Sequence, residues 1–149
     1  RLKSSPQDRS SAQLLEAEHE VGAALAELRT VARGLFPTEL ADEGLEAALE
    51  SFAESSSISM TTDVFLPRRL PSPVESAAFF AVVYLADASR SGGRIFVRVG
   101  EDGMTLRVEI TTSRPVQDLT AVEGRVGALG GRVGATSARQ IRVELPCES

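Results

Sequence analysis

The 149-residue chain contains no tryptophan and only one histidine, one cysteine and one tyrosine. These scarcities exclude several kinds of function. The lone cysteine, Cys147, forms no internal disulfide and fits a reducing compartment. One His and one Cys do not supply the tetrahedral ligand set of a zinc site. No apolar run approaches the ~18 residues of a membrane helix and no signal peptide opens the chain, so no membrane contact is expected within it. Positive charge is also short: 16 Lys and Arg against 21 Asp and Glu leave a net charge of −5. That balance argues against nucleic acid, whose phosphates are gripped by clustered basic residues. The sequence begins at Arg1 rather than Met, which reads as a cytoplasmic piece of a longer protein whose remainder can carry a membrane anchor.

Hydrophobic residues make up 42% of the sequence and charged residues 25%, the balance of a globular domain. Residues 1–10 are polar and Ser-rich and read as a flexible lead-in. From Ser11 to about Arg33 the sequence is rich in Ala, Leu and Glu and reads as helix. Leu14, Val21, Leu28 and Leu35 recur every seven residues, with Leu25 and Ala32 between them. Such a seam suits a coiled coil or four-helix bundle, although Glu18 interrupts it and packing of the helix on its own domain is the alternative. Gly34 and Pro37 stop the helix, and residues 37–149 read as a single further domain.

Within that domain, Asp42 to Ser55 reads as an amphipathic helix with Leu45, Ala48, Leu49 and Phe52 on one face. Ile58, Met60, Thr62 and Val64 alternate as in a half-buried strand. Ser72, Pro73 and Glu75 have the spacing of a capping box with Pro at the first helical position. The helix they open runs to about Arg90 and is apolar around most of its circumference, so it should be buried against a sheet. Ile95, Val97 and Val99, a turn at Glu101–Asp102–Gly103, and Leu106, Val108 and Ile110 spell a hairpin. Asp118 can cap a short helix that stops at Gly130 and Gly131. Val133 and Ala135, then Ile141, Val143 and Leu145, make a last antiparallel pair. The expected architecture is α+β, a two-layer sandwich with helices on one face of a mixed, mainly antiparallel sheet, preceded by a long N-terminal helix.

The stretch Leu28-Arg29-Thr30-Val31-Ala32-Arg33-Gly34-Leu35-Phe36-Pro37 resembles the Leu-Arg…Arg-Gly-Leu-His-Pro signature of a subfamily of bacterial sensor histidine kinases. Leu40 and Gly44-Leu45-Glu46-Ala47-Ala48-Leu49 continue the likeness. Val126-Gly127-Ala128-Leu129-Gly130-Gly131-Arg132-Val133 is similar to the family's Val-Glu-Ala-Leu-Gly-Gly block, and Ile141 to Pro146 to its closing strand. Each block alone is weak, but together they span roughly residues 12–146. The resemblance implies the Bergerat (GHKL) sandwich, with residues 11–36 standing for the second dimerisation helix and 37–149 for the ATPase domain. It also implies a two-component system whose response regulators are of the LuxR type.

The same resemblance marks where nucleotide chemistry should be and what stands there instead. The family's magnesium-site helix carries Glu-x-x-x-Asn, whereas this chain has Tyr84 and Ala88 at those positions. Alanine offers no side-chain oxygen to a hard cation. Asp87 lies about 100° further round the helix and is a poor substitute. The adenine motif Asp-x-Gly-x-Gly is replaced by Thr111-Thr112-Ser113-Arg114-Pro115, which lacks the carboxylate at Thr112 and sets a bulky side chain at Arg114. The phosphate motif Gly-x-Gly-Leu has become Val116-Gln117-Asp118-Leu119, with a negative charge where an anion should bind. About six residues replace the flexible lid, a length close to ordinary loops.

No catalytic residue, metal or cofactor is therefore expected; ATP and magnesium return only if this reading of the six positions fails. His19, the one histidine, sits too close to Gly34 to be the family's phosphoacceptor and reads as a surface residue. Ser55, Ser56 and Ser57 have no base beside them and read as a loop. Arg68 and Arg69 read as a solvated pair, and Tyr84 as a core filler. The preferred function is a histidine-kinase-like pseudo-ATPase that works by pairing with itself, a true kinase or a response regulator. One alternative is an active sensor kinase domain phosphorylating a histidine in the missing N-terminal part. Another is a protein-binding module like the anti-sigma factors, which share this fold class.

Overall fold

The computed structural model describes residues 10–21, 38–89 and 92–147. Residues 10–21 form helix α1, with every residue exposed; Leu14 is 65% and Val21 59% accessible. Leu25, Leu28, Ala32 and Leu35 of the heptad seam lie outside the described residues, as do Gly34 and most of the lead-in. Next come α2 (Thr38–Asp42), α3 (Leu45–Ser55), β1 (Ser59–Phe65) and α4 (Ser72–Ala88). After them follow β2 (Arg94–Asp102), β3 (Thr105–Thr112), α5 (Thr120–Gly127), β4 (Arg132–Ser137) and β5 (Gln140–Pro146).

The five strands lie in the order β1-β2-β3-β5-β4. β1 runs parallel to β2, and the other neighbours are antiparallel. This mixed sheet follows from the connections, since parallel strands need a crossover and α4 supplies it between β1 and β2. Alternation decides the two faces. Val97 and Val99, Leu106, Val108 and Ile110, and Ile141, Val143 and Leu145 point into the core, while their neighbours point out. α3, α4 and α5 pack against the apolar face only, giving the expected α+β two-layer sandwich. α4 is the centre of the helical layer, with Ala77, Ala78, Ala81, Val82, Val83 and Leu85 all buried.

Several local expectations need correction. The helix expected over Asp42–Ser55 is α3, with the expected apolar face, but it begins at Leu45, because Gly44 adopts φ +102° and separates it from the short α2 that ends at Asp42. A side chain at Gly44 would also meet the Arg69 guanidinium, whose Nε lies 2.9 Å from the ideal Cβ position.

The capping box does not form: α4 starts at Ser72 after Pro71, with no side-chain cap. Glu75 is engaged elsewhere. Its carboxylate accepts from Arg69 Nε at 3.1 Å, Arg69 NH2 at 3.0 Å and the Leu70 N–H at 3.1 Å. Arg69 in turn donates to the carbonyls of Leu40, Ala41 and Asp42, the orphan acceptors at the end of α2. The arginine pair is thus anchored, since Arg68 also binds Glu101 at 2.9 Å.

The Gly130–Gly131 stop is a Schellman motif. Gly131 N–H reaches the Val126 carbonyl at 3.0 Å, Gly130 N–H reaches Gly127 at 3.0 Å, and Gly130 has φ +75°.

Candidate functional site

The positions singled out in the sequence fall on α4, the end of β3, and the loop leading into α5. β3 is flanked by β2 and β5, so its exit is bordered by the start of β2 and by the β4–β5 turn. The loop over residues 113–119 is strapped to both. Ser113 N–H donates to the Arg94 carbonyl at 2.9 Å, and Arg94 N–H returns a bond to Ser113 Oγ at 2.8 Å. On the other side Thr112 N–H donates to the Arg139 carbonyl at 2.8 Å and Val116 N–H to Ala138 at 2.9 Å.

Thr112 is 3% exposed, and its hydroxyl donates to the Arg114 carbonyl at 2.6 Å, with the Arg139 carbonyl 3.3 Å away. That hydroxyl is turned onto its own backbone, and Arg114 projects its side chain outward, exposed. Val116 is half-buried and packs on the core.

Asp118 is exposed, and its Oδ1 accepts from the Thr120 N–H at 2.9 Å, on the first turn of α5. The N-cap position of α5 is Leu119, which has no side-chain cap, so Asp118 sits one residue before the expected cap position while its carboxylate still accepts from the first helical amide. The hydrogen bond from the Thr120 backbone, then that from its hydroxyl, holds the Asp118 carboxyl below its usual range. A carboxylate thus stands at the N-terminus of α5.

On α4, Ala88 is exposed and Tyr84 half-buried. The Tyr84 ring stacks on Phe80, centroids 5.9 Å apart at 30°. The Arg125 guanidinium of α5 lies 4.6 Å from the Phe80 ring centroid. An arginine–phenylalanine–tyrosine stack therefore bridges α4 and α5, a cation–π contact joined to an aromatic pair. Arg125 was not singled out in the sequence, where nothing but its place on a short helix marks it.

His19 is exposed on α1. No group of three or more His, Cys, Asp or Glu among the described residues is arranged to hold a metal ion, and no described helix is long and apolar enough to cross a membrane.

No family model matches the sequence, and no curated protein matches it by sequence. The fold, in contrast, has solved counterparts. The histidine kinase domain of an Erythrobacter litoralis blue-light-activated kinase is similar with a TM-score of 0.53 and 15% identity. The match covers 70% of this chain, which spans 59% of that one. The Acinetobacter baumannii histidine kinase AdeS gives 0.52 and 14%, covering 99% of this chain and 88% of AdeS. Histidine kinase ThkA, solved in complex with the response regulator TrrA, gives 0.55 and 10%, covering 98% of this chain and 53% of that one. At these identities the likeness establishes the fold alone, the α+β sandwich found in these histidine kinases.

Proposed function

We propose that this chain is a histidine-kinase-like module of a two-component signalling protein that has lost magnesium–nucleotide binding and acts through contacts with other proteins. The observation that carries this reading is the state of Thr112. The family's adenine-binding carboxylate position holds a hydroxyl that already donates to the Arg114 carbonyl, in a loop fastened to Arg94, Ala138 and Arg139. Three further features support it. Ala88 has no side-chain oxygen for magnesium. The Asp118 carboxylate stands where α5 would otherwise offer its amides to a phosphate. The Arg125–Phe80–Tyr84 stack fastens α5 onto α4 and engages the Tyr84 that stands at the family's glutamate position. These residues do not fit magnesium–ATP, and no phosphoryl-transfer step is assigned to them.

Partner contact is the remaining work for such a fold. The exposed Leu14 and Val21 on α1 begin the heptad seam that continues in sequence through Leu25, Leu28, Ala32 and Leu35. We assign residues 11–36 to pairing with a second copy or with a true kinase, and residues 37–149 to the degenerate ATPase unit. ThkA is solved with a response regulator, and a regulator, of the LuxR type by the sequence resemblance, is the second partner class.

The test is isothermal titration of the 149-residue chain with magnesium–ATP. No saturable heat is expected up to about millimolar nucleotide. A micromolar dissociation constant, worth about −8 kcal/mol, would return the chain to the active kinases.

A further inference from the structure

The face of the sheet opposite the helices carries a row of charges whose order follows from the strand register. Asp63 on β1 is paired with Arg98 on β2, Arg98 with Glu109 on β3, and Glu109 with Arg142 on β5. The signs run minus, plus, minus, plus across four adjacent strands. Two ion pairs close within the row, Arg98 Nε to Asp63 Oδ2 at 3.3 Å and Arg142 NH2 to Glu109 Oε1 at 3.1 Å. Asp63 and Arg98 are 60% and 61% accessible, Arg142 41% and Glu109 25%. The Nε of Arg142 is buried with no acceptor among the described residues.

A row of alternating sign and even length is antisymmetric about its midpoint. A two-fold axis parallel to the strands, between β2 and β3, therefore sets every charge against its opposite. Arg98 meets Glu109 of a second copy, and Asp63 meets Arg142 of that copy.

The adjacent row obeys the same axis. It reads Phe65, Gly100, Arg107 and Glu144, so Gly100 would face Arg107 of the second copy. Gly100 has no side chain, and over it lies a hollow of about 270 Å³ rimmed by Asp63, Phe65, Glu101, Asp102 and Glu109 and by two guanidinium groups, Arg98 and Arg107. Its four carboxylates are each paired within the chain, Asp63 to Arg98, Glu101 to Arg68, Asp102 to Arg107 and Glu109 to Arg142. A guanidinium of the second copy would therefore share acceptors that already hold one partner, beside the Phe65 ring. Phe65, 76% exposed, would lie over Glu144 of the second copy between its two guanidinium partners, Arg107 and Arg132.

We propose that this open sheet face is a self-complementary docking surface, and that its occupant is a second copy of the chain stacked face to face. Sheets stack about 10 Å apart at about −30°, so the correspondence is tightest at the axis, at Arg98 with Glu109 and Gly100 with Arg107. Four strands of this length bury on the order of 450 Å² per copy, about 900 Å² in all, which is below the range of stable interfaces and within that of weak, transient ones. Exposed ion pairs contribute little singly, so the association is weak and selective. This surface is separate from α1 and does not depend on the state of the nucleotide site.

The experiment is sedimentation velocity of the 149-residue chain from about 10 µM to about 1 mM, the range where weak association registers. The mass is expected to double with concentration, from monomer to dimer or, where α1 already pairs two chains, from dimer to tetramer. Arg98→Glu and Glu109→Arg should each weaken this doubling at least about tenfold, because each sets like charges across the axis. Mixed in equal amounts, the two variants restore both contacts in a heterotypic pair and should associate to within about threefold of the original chain. Recovery on mixing cannot come from misfolding of either variant. Gly100→Leu gives a second route. A Cβ there meets nothing within 4 Å, so the fold is kept, but the side chain fills the hollow and should abolish the doubling with the melting temperature unchanged. A chain whose mass never rises, a mixture that behaves as its separate components, or a Gly100→Leu chain that still doubles would overturn the proposal.

Discussion

Glu75 and Arg69 form a two-pronged ion pair whose halves sit in different surroundings. The carboxylate side is 2% exposed and the guanidinium side 51%. The hydrogen bond from Arg69 and its charge complement Glu75, and the pair holds the guanidinium more firmly protonated than usual. Through it the end of α2, the approach to α4 and Gly44 are tied at one point. Glu75→Ala would leave the Leu70 N–H and the Arg69 Nε without their acceptor, with only the carbonyls at the end of α2 still holding the guanidinium. We expect a loss of about 2–4 kcal/mol, read as a lower urea midpoint at unchanged slope. Glu75→Gln keeps an acceptor for Leu70 and should lose less.

Gly131 is a packing constraint of another kind. A Cβ there would lie 2.5 Å from the Glu144 carbonyl oxygen and 2.7 Å from Val126 Cγ1, so either β5 or α5 must shift. Gly131→Ala should cost about 1–3 kcal/mol, as overpacked cores do. Gly134→Ala, on the same strand pair with nothing within 4 Å, should stay within about 0.5 kcal/mol in thermal melts.

Elements with a strong period were legible in the sequence. The alternation at Ile95, Val97 and Val99 and at Leu106, Val108 and Ile110 specified both hairpin strands and which side of each faces the helices. The all-round apolar character of α4 specified its burial. What misled was local chemistry with a distant competitor. Ser72 and Glu75 have capping-box spacing, but Arg69 and the Leu70 amide take the carboxylate first. Gly44 looked like part of a helix because nothing in its neighbours reveals a guanidinium arriving from Arg69. At the candidate site the sequence showed which side chains were replaced. That the Thr112 hydroxyl folds back onto Arg114, or that Arg125 covers Phe80, requires the fold. The charge row on the open face was hidden for the same reason: Asp63, Arg98, Glu109 and Arg142 acquire an order only when the strand order and register are known.

Asp118 should give the α5 end a pH dependence of defined sign. Its folded carboxyl is held below the ordinary 3.8 by the Thr120 amide and hydroxyl. A depressed carboxyl contributes stability that is present above the unfolded value and disappears as pH falls through the folded one. Asp118→Asn should therefore melt below the original chain at neutral pH, and the gap should close as the buffer is taken below about pH 4. A gap that stays constant to pH 2 would mean that the carboxylate is not the source.

Cys147 should be a slow thiol despite its place near the end of the sequence. It is buried, its N–H is bonded to the Met104 carbonyl at 2.8 Å, and its Sγ lies 3.7 Å from the Leu145 carbonyl. Burial, then the charge of Glu101, pushes the thiol above its ordinary 9.0. Because the thiolate is the reactive form, a colorimetric disulfide reagent at pH 8 should label the native chain at least about tenfold more slowly than the unfolded one. Glu101→Gln should speed labelling of the native chain by removing the nearby negative charge.

Thr112→Asp, which supplies the carboxylate found at the adenine position of active relatives by resemblance, should damage the fold instead of recovering nucleotide binding. The Thr112 hydroxyl is a donor facing two acceptors, the Arg114 carbonyl at 2.6 Å and the Arg139 carbonyl at 3.3 Å. A carboxylate in the same place is acceptor-only, buried, and opposed to both oxygens. An unmatched buried polar group costs about 1–3 kcal/mol and a charged one more, so the variant should lose at least that in denaturant titration. Thr112→Val, which removes the donor without adding a charge, should lose only about 1 kcal/mol. Neither variant should show saturable heat with magnesium–ATP, because the Val116–Ala138 bond still fastens the loop and Asp118 still holds the first turn of α5. A Thr112→Asp chain of undiminished stability that binds nucleotide would mean that the loop can leave its straps, and that the site is dormant rather than lost.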